Sequence, residues 1–353
     1  MEQTPAMNTE SNSLMTPEEL NRVSALATRL LDELDKILLG QHEVHRLLLI
    51  GIFSRGHVLL EGLPGVGKTA LVKSLGKLMR LEFKRIQFTP DLLPSDILGG
   101  SILQVMPDGS RKMEFQPGAI FSNILLADEI NRASPKTQSA MLEAMQEHAV
   151  TLLGETRPLP DPFFVLASQN PIELEGTYPI PEAQLDRFLF KINVTGVDAD
   201  VLTRIIANRR RGEPPEPEWT LSAEELREIF AAMDRVYLSE SVANYIARIV
   251  AAGHPGSPAA IPDVTRFVTY GPSPRAAIAL AESSRAAALI AGRPAVGFED
   301  VRSVAPAVLN HRLILNYQAK LDKITPAALS ERLLEKVDPA GIDWPQGVNA
   351  GKD

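Results

Sequence analysis

Residues 57–69 read HVLLEGLPGVGKT, and this stretch decides the fold. A short apolar run at 57–61 passes directly into a glycine-rich segment and then into a helical pattern at 68–80, so the local order is strand, loop, helix. Residues 62–69 are a full G-x-x-x-x-G-K-[ST] match. In such a loop Gly62, Gly65 and Gly67, with Pro64 and Val66 between them, let backbone N–H groups curl around phosphate oxygens. Lys68 places a point charge on the outer phosphates, the Thr69 hydroxyl can ligate Mg²⁺, and Ala70 continues the helix that the loop opens. A nucleoside triphosphate with Mg²⁺ is the ligand this chemistry suits.

Outward from this loop, further β-like runs lie at 83–88 (FKRIQF), 124–127 (ILLA), 163–168 (FFVLAS) and 188–194 (FLFKINV). Helical segments such as 136–147 separate them, which predicts parallel strands joined by crossover helices in an α/β sheet domain. Helical patterns at 17–38, opened by Thr16-Pro17-Glu18-Glu19, and at 41–54 precede the first strand. After a helix at 200–211 comes RRRGEPPEPEW at 209–219, whose prolines would stop any helix. From Ser222 onward the patterns are helical without clear strands. The expected organisation is a flexible tail at 1–15, an αβα core at 16–208, a linker at 209–219, an all-helical domain at 220–337 and a C-terminal tail at 338–353 around Trp344. Two stretches, 101–115 and 149–160, have the Gly/Pro content of hairpins inserted where a plain sheet domain needs only short connections.

The length, 353 residues, allows two domains of ordinary size. With 44% hydrophobic and 23% charged residues the chain has the composition of a globular protein, which excludes disorder over its whole length. Absence of cysteine removes disulfides, thiolate zinc sites, iron–sulfur clusters and Cys nucleophiles, and is compatible with a cytoplasmic protein. The longest apolar stretch, 47–53, is far below the ~20 residues of a spanning helix, and the polar N-terminus lacks a secretory pattern. A formal charge of −8 argues against broad DNA binding. The six histidines lack metal spacing, and His311 beside Arg312 in an apolar helix reads as structural.

A second acidic element follows the strand at 124–127. Asp128 and Glu129 would stand at the sheet's carboxyl edge, where α/β folds bind ligands. Asp128 suits metal binding and Glu129 suits orienting a water, although an Asp-Glu pair without a phosphate loop would read as a solvated helix start.

The runs LLEGLPGVGKTA, ILLADEINRASPKTQSAMLEAMQEHAVTL, VLASQNPIELEGTYPIPEAQLDRFLF and GPSPRA together resemble the MoxR family of AAA+ ATPases. The match is nearly continuous over 40–194 and resumes at 271–277. The resemblance implies an αβα P-loop core with a parallel sheet, followed by a helical lid. It implies that Asn170 is the sensor 1 amide, that Arg187 is an arginine finger given to a neighbouring subunit, and that Arg275 is a sensor 2 residue reaching from the lid to the nucleotide on its own core. Gly40 and Gln41 match the segment lining the adenine pocket. Gln87 resembles the polar residue that restrains the catalytic Glu, with an in-sheet hydrogen-bonding role as the alternative. The stretches 101–115 and 149–160 match the helix 2 and pre-sensor 1 inserts. Their charges, Arg111, Lys112, Glu155 and Arg157, are either client-facing or ordinary solvated groups. Arg132 is a further intersubunit candidate.

The expected activity is Mg-dependent ATP hydrolysis in a ring, with a hexamer expected, coupled to chaperone-like remodelling of protein clients as lid moves against core. The family implies von Willebrand factor A domain partners or metal-cofactor enzymes. The alternative is a nucleotide-gated assembly adaptor with little turnover. A DNA motor or transcriptional activator is disfavoured by the acidic balance, by the absence of a recognisable DNA-binding helix pair and by the missing GAFTGA loop.

Overall fold

The computed structural model of the chain describes residues 14–63, 65–105, 110–152, 154–171, 176–209 and 214–339. Helices α1 (Pro17–Ile37) and α2 (His42–Phe53) lead into β1 (Val58–Glu61), α3 (Lys68–Met79), β2 (Phe83–Gln87) and α4 (Pro94–Leu98). A hairpin of β3 (Gly99–Val105) and β4 (Arg111–Pro117) precedes β5 (Ile124–Asp128), a 3₁₀ turn (Ile130–Arg132) and α5 (Pro135–Glu147). A second hairpin, β6 (Ala149–Leu152) with β7 (Glu155–Pro158), leads to β8 (Phe164–Gln169), α6 (Glu182–Leu185), β9 (Phe190–Asn193) and α7 (Ala199–Asn208). The lid region comprises α8 (Ala223–Met233), α9 (Glu240–Ala252), α10 (Pro262–Phe267), β10 (Val268–Tyr270), α11 (Pro274–Ile290), α12 (Phe298–Leu309), β11 (Ile314–Leu315), α13 (Tyr317–Leu321) and α14 (Pro326–Lys336).

The five core strands form one parallel sheet in the order β2-β5-β8-β1-β9. The apolar runs of β1, β5 and β8 are continuous because both faces are covered, and adjacent residues alternate between two cores. Val58 and Leu60 of β1, Ile124 and Leu126 of β5, and Phe164 and Leu166 of β8 point to one core, which α1, α2, α3 and the lid helices share. Leu59, Leu125, Ala127, Val165 and Ala167 face the other, closed by α5 and the adjoining segments.

Several expectations need adjustment. The tail at 1–15 is too long, because Met15 is buried and Thr16 caps α1 through a reciprocal pair with Glu19, at 3.2 and 2.9 Å. Residues 1–13, residues 340–353 with Trp344, and 210–213 of the expected linker lie outside the described residues. The lid is not purely helical, since Val268 and Tyr270 pair antiparallel with Leu315 and Ile314. These strands are three and two residues long, too short to leave a period-two signal. Nor do core and lid have separate interiors: α1 packs against α2 and α3 of the core and against α8 and α11 of the lid.

His57, at the entrance to β1, is buried and ties two layers together. Its Nδ1 accepts from the Val165 amide at 3.0 Å, and its Nε2 donates to the Met145 carbonyl at 3.1 Å. Burial, opposed by the Met145 bond and reinforced by nearby His148, lowers its pKa to about 4. Because the unfolded imidazole titrates near 6.5, the stabilisation is complete above that pH and is lost as pH falls toward 4, by about 3 kcal/mol in all. Urea unfolding across pH 4–7 is expected to show this slope, and His57→Gln is expected to lower stability at pH 7 while making the slope shallower. An unchanged slope in the variant would remove His57 as its source.

Candidate nucleotide site and the distal arginine cluster

The phosphate loop leaves β1 at Glu61 and enters α3 at Lys68. Gly62 passes so close to the neighbouring strand's exit that a Cβ would lie 2.4 Å from the Val194 carbonyl oxygen. Gly65 and Gly67 have φ of +83° and +92°, a region that disfavours other residues, and a Cβ at either would meet nothing within 4 Å. Their backbone thus faces an open concavity at the N-terminus of a 12-residue helix, a geometry that fits an anion. Lys68 is buried and its ammonium donates to the Gly62 carbonyl. Burial lowers its pKa, against the opposing pull of Asp128, Glu129 and Glu61. Pro64 lies outside the described residues.

Beside the loop is a cleft of about 480 Å³, lined by Leu38, Gln41, Gly65, Val66, Ala70 and Ile205 among others. Gln41 donates to the Val66 and Thr195 carbonyls at 3.4 and 3.2 Å, linking the loop to the segment after β9. Gly40 has φ of +86° and sits 2.9 Å, measured from a hypothetical Cβ, from Val201 of α7. The structure therefore brings Gln41 to the phosphate loop and to an apolar cleft, while Gly40 packs against α7 beside it.

Strand register explains the acidic group. Glu61 stands opposite Gln169, Ala127 opposite Ala167, and Gln87 opposite Asp128, so the carboxyl ends of β1, β8, β5 and β2 finish together. Asn170, buried, follows β8 at this edge. Asp128 is buried; Ser168 donates to one carboxylate oxygen, and Arg85 donates twice to the other, at 2.7 and 3.1 Å. Glu129 adopts a left-handed conformation, φ 55° and ψ 49°, with its amide donating to Ser168 Oγ at 3.0 Å. Such a conformation is uncommon for a non-glycine residue and is held here by fixed partners. Its carboxylate accepts from Gln87 Nε2 at 2.7 Å and Arg132 Nη1 at 3.0 Å, and Arg85 also donates to Gln87. Gln87 thus contacts Glu129 directly, and Arg132, expected at a subunit contact, binds Glu129 of its own chain.

Sequence reasoning missed Arg85 and Ser168. Arg85 shares a strand face with Gln87 two residues on, a period-two signal that was available; Ser168 has no comparable local mark. Thr69 and Asp128 offer oxygen ligands only, which suits Mg²⁺. Among the described residues no group of three or more His, Cys, Asp or Glu could hold a metal, and Mg²⁺ is commonly held by one or two protein oxygens together with waters and substrate phosphates.

Arg187 and Arg275 lie elsewhere. Both line a pocket of about 280 Å³ with Gly56 and His57, at the amino end of β1, and Leu189 N donates to the His57 carbonyl at 2.8 Å. The five steps from His57 to Gly62 put this pocket roughly 16 Å from the phosphate loop. Arg187 donates to the Leu142 carbonyl at 2.7 Å, while its Nε is buried without a hydrogen-bond partner. Arg275 sits 3.9 Å from Asp186. The expectation that Arg275 reaches the nucleotide of its own core is therefore corrected: α11 packs against α1 and α2, and Arg275 at its N-terminus lines the pocket at the sheet's amino edge.

The inserts are both hairpins, with Arg111 and Lys112 exposed on β4. Arg157 pairs with Glu155 and stacks 4.1 Å from the Phe115 ring centroid, so it joins one hairpin to the other instead of standing free in solvent. Ile102, Leu103, Val105 and Met113 give the first hairpin an exposed apolar surface that charge reading overlooked.

With this geometry established, comparison with known proteins is specific. Residues 57–190 match the ATPase family associated with various cellular activities (AAA), and 263–333 match the AAA lid domain. Chaperone MoxR1 of Mycobacterium tuberculosis is 43% identical over 309 residues, covering 88% of this chain and 81% of that protein. Protein MoxR of Methylorubrum extorquens is 31% identical, over 85% of this chain and 91% of that one. A crystal structure of a proposed ATPase from Cytophaga hutchinsonii aligns with a TM-score of 0.81 at 41% identity, over 91% of this chain and 97% of that chain. A P-loop core and lid, both family matches and near-full-length identity lead to one assignment: the chain belongs to the MoxR family of AAA+ ATPases.

Proposed function

We propose that this protein is a Mg-dependent ATP hydrolase that works as a ring, with a hexamer expected, and remodels protein clients. The observation carrying this reading is the division of the candidate machinery between opposite edges of one sheet. Lys68, Asp128, Glu129 and Asn170 gather at the carboxyl edge, while Arg187 and Arg275 gather at the amino edge. Arginines so far from their own phosphate loop can serve a nucleotide only if a neighbour presents one.

In this mechanism the backbone of Gly65–Gly67 and Lys68 hold the phosphates, and Gly40 and Gln41 border the base. Thr69 and Asp128 would hold Mg²⁺, whose charge neutralises the phosphate oxygens. Glu129 orients and polarises water, and Asn170 steadies that water against the terminal phosphate. Glu129 can do so only after Gln87 and Arg132 release its carboxylate. Arg187 of the adjacent subunit stabilises charge on the transferred phosphoryl group, a contribution of ~10³–10⁵ in rate. Arg275 supports it from the same edge. The chaperone name of the mycobacterial relative favours a protein client, with von Willebrand factor A domain proteins or metal-cofactor enzymes as candidates and a cytoplasmic setting. Nucleic acid is not the expected partner.

The restraint on Glu129 also favours a second reading, a nucleotide-gated adaptor with little resting turnover. Measuring ATP turnover against protein concentration, with mass in parallel, separates the two. Turnover rising with ring assembly supports the hydrolase; a stable nucleotide-bound assembly without turnover, even with added clients, supports the adaptor.

Glu129→Gln is expected to keep ATP binding and to reduce turnover by ~100-fold or more, measured as phosphate release beside equilibrium nucleotide binding. Retained hydrolysis would end the role given to Glu129. Gln87→Ala should raise basal turnover several-fold by freeing Glu129, about 1 kcal/mol of restraint. A fall in turnover without loss of binding would instead make Gln87 a support for the active arrangement.

A further inference from the structure

The distal arginines are organised by a residue that the proposed reaction has not yet used. Arg312 follows α12 in the lid and is buried, with 5% of its surface exposed, yet its guanidinium is fully engaged. Nε donates to Asp186 Oδ1 at 2.7 Å. One terminal nitrogen donates to the Leu189 and Val308 carbonyls at 3.0 and 2.7 Å, and the other to the Asp186 and Phe188 carbonyls at 3.1 and 2.8 Å. Three of these acceptors are backbone groups of 186–189, the segment that carries Arg187. The preceding His311 adds a bond from Nε2 to the Phe188 carbonyl at 3.0 Å.

Asp186 serves the second arginine as well. Its other oxygen accepts from Ser273 Oγ at 2.7 Å, and Ser273 in turn caps α11, accepting from the Arg275 amide at 3.1 Å. Arg187 is thus bonded by sequence to Asp186, and Arg275 is bonded to it through Ser273. Arg312 fixes the carboxylate between them. A planar, five-donor group meeting four carbonyls and a carboxylate is geometrically demanding, and a lysine cannot reproduce it.

We propose that Arg312 is a positioning residue that, through Asp186, sets Arg187 and Arg275 as one rigid two-arginine unit for hydrolysis at the neighbouring subunit's nucleotide. The proposal rests on the reading that Arg187 acts in trans. Arg312 touches no nucleotide in this scheme; it acts through the Asp186 segment. Its loss is expected to be felt by the neighbour and not by its own phosphate loop, and a misplacement of about 1 Å can cost about a hundredfold in rate.

Mixed rings of full-length subunits test this, with mixed assembly verified by native mass. Arg312→Gln alone is expected to bind a fluorescent ATP analogue within about twofold of wild type while losing at least about tenfold in turnover. Mixed with Lys68→Ala, which keeps a sound arginine unit, it should recover activity; mixed with Arg187→Ala, in which neither partner offers a working finger, it should not. Arg187→Ala mixed with Lys68→Ala is the control. If that control recovers and Arg312→Gln with Lys68→Ala does not, Arg312 serves its own chain and the proposal fails while the trans reading stands. If the control itself stays inactive, the trans reading fails and the proposal with it. Full turnover in Arg312→Gln alone, or recovery with Arg187→Ala, would also overturn the assignment. Should Arg312→Gln not fold, Asp186→Asn and Arg312→Lys carry the same crosses, with partial loss expected from each.

Discussion

Parallel register is the constraint on which the candidate site depends. Because β1, β5 and β8 are buried on both faces, a slip of one residue in any of them would exchange its two apolar sets between cores. The same register aligns Glu61, Gln169 and the Ala127–Asp128 exit, so the phosphate loop, the acidic pair and Asn170 emerge beside one another. Apolar packing therefore holds the polar chemistry in place, and the Ser168 hydroxyl ties the ends of β5 and β8 together. At the opposite edge the same sheet collects His57, Arg187 and the N-terminal part of α11.

Local sequence revealed what local sequence controls. The phosphate loop, the five strands and the acidic pair could be read from 57–69 and from the apolar runs, because the central strands β1, β5 and β8, buried on both faces, leave a continuous signal and a glycine loop has few alternatives. The Thr16 cap was legible for the same reason. What could not be read are contacts made across the fold. Ser168 becomes a partner of Asp128 and Glu129 only through β5–β8 pairing, and Arg312 meets Asp186 across 126 residues. Arg275 shows the limit most plainly: the structure has Ser273 capping the helix that Pro274 opens, but nothing in the local sequence says which edge of the sheet that start faces.

Charge neutralisation in the acidic group is also tertiary. Asp128 and Glu129 carry adjacent negative charges, and Arg85, Arg132 and Lys68 surround them from β2, the 3₁₀ turn and α3. Removing one cation would leave a partly buried carboxylate without its partner, which costs more than an exposed pair is worth. Residues distributed over three elements therefore behave as a single electrostatic unit, and the strained backbone of Glu129 is kept within it by the Ser168 hydroxyl.

The apolar interior shared by the lid, α1 and one sheet face has a mechanical consequence. Swinging the lid away from its own core would expose that interior, at about 25 cal/mol per Å² of apolar surface. Each chain is thus closer to a single stiff block than to two blocks on a hinge. In the ring proposed above, strokes would then arise where blocks meet, and the work delivered to the proposed client would be set by how one whole subunit tilts against the next.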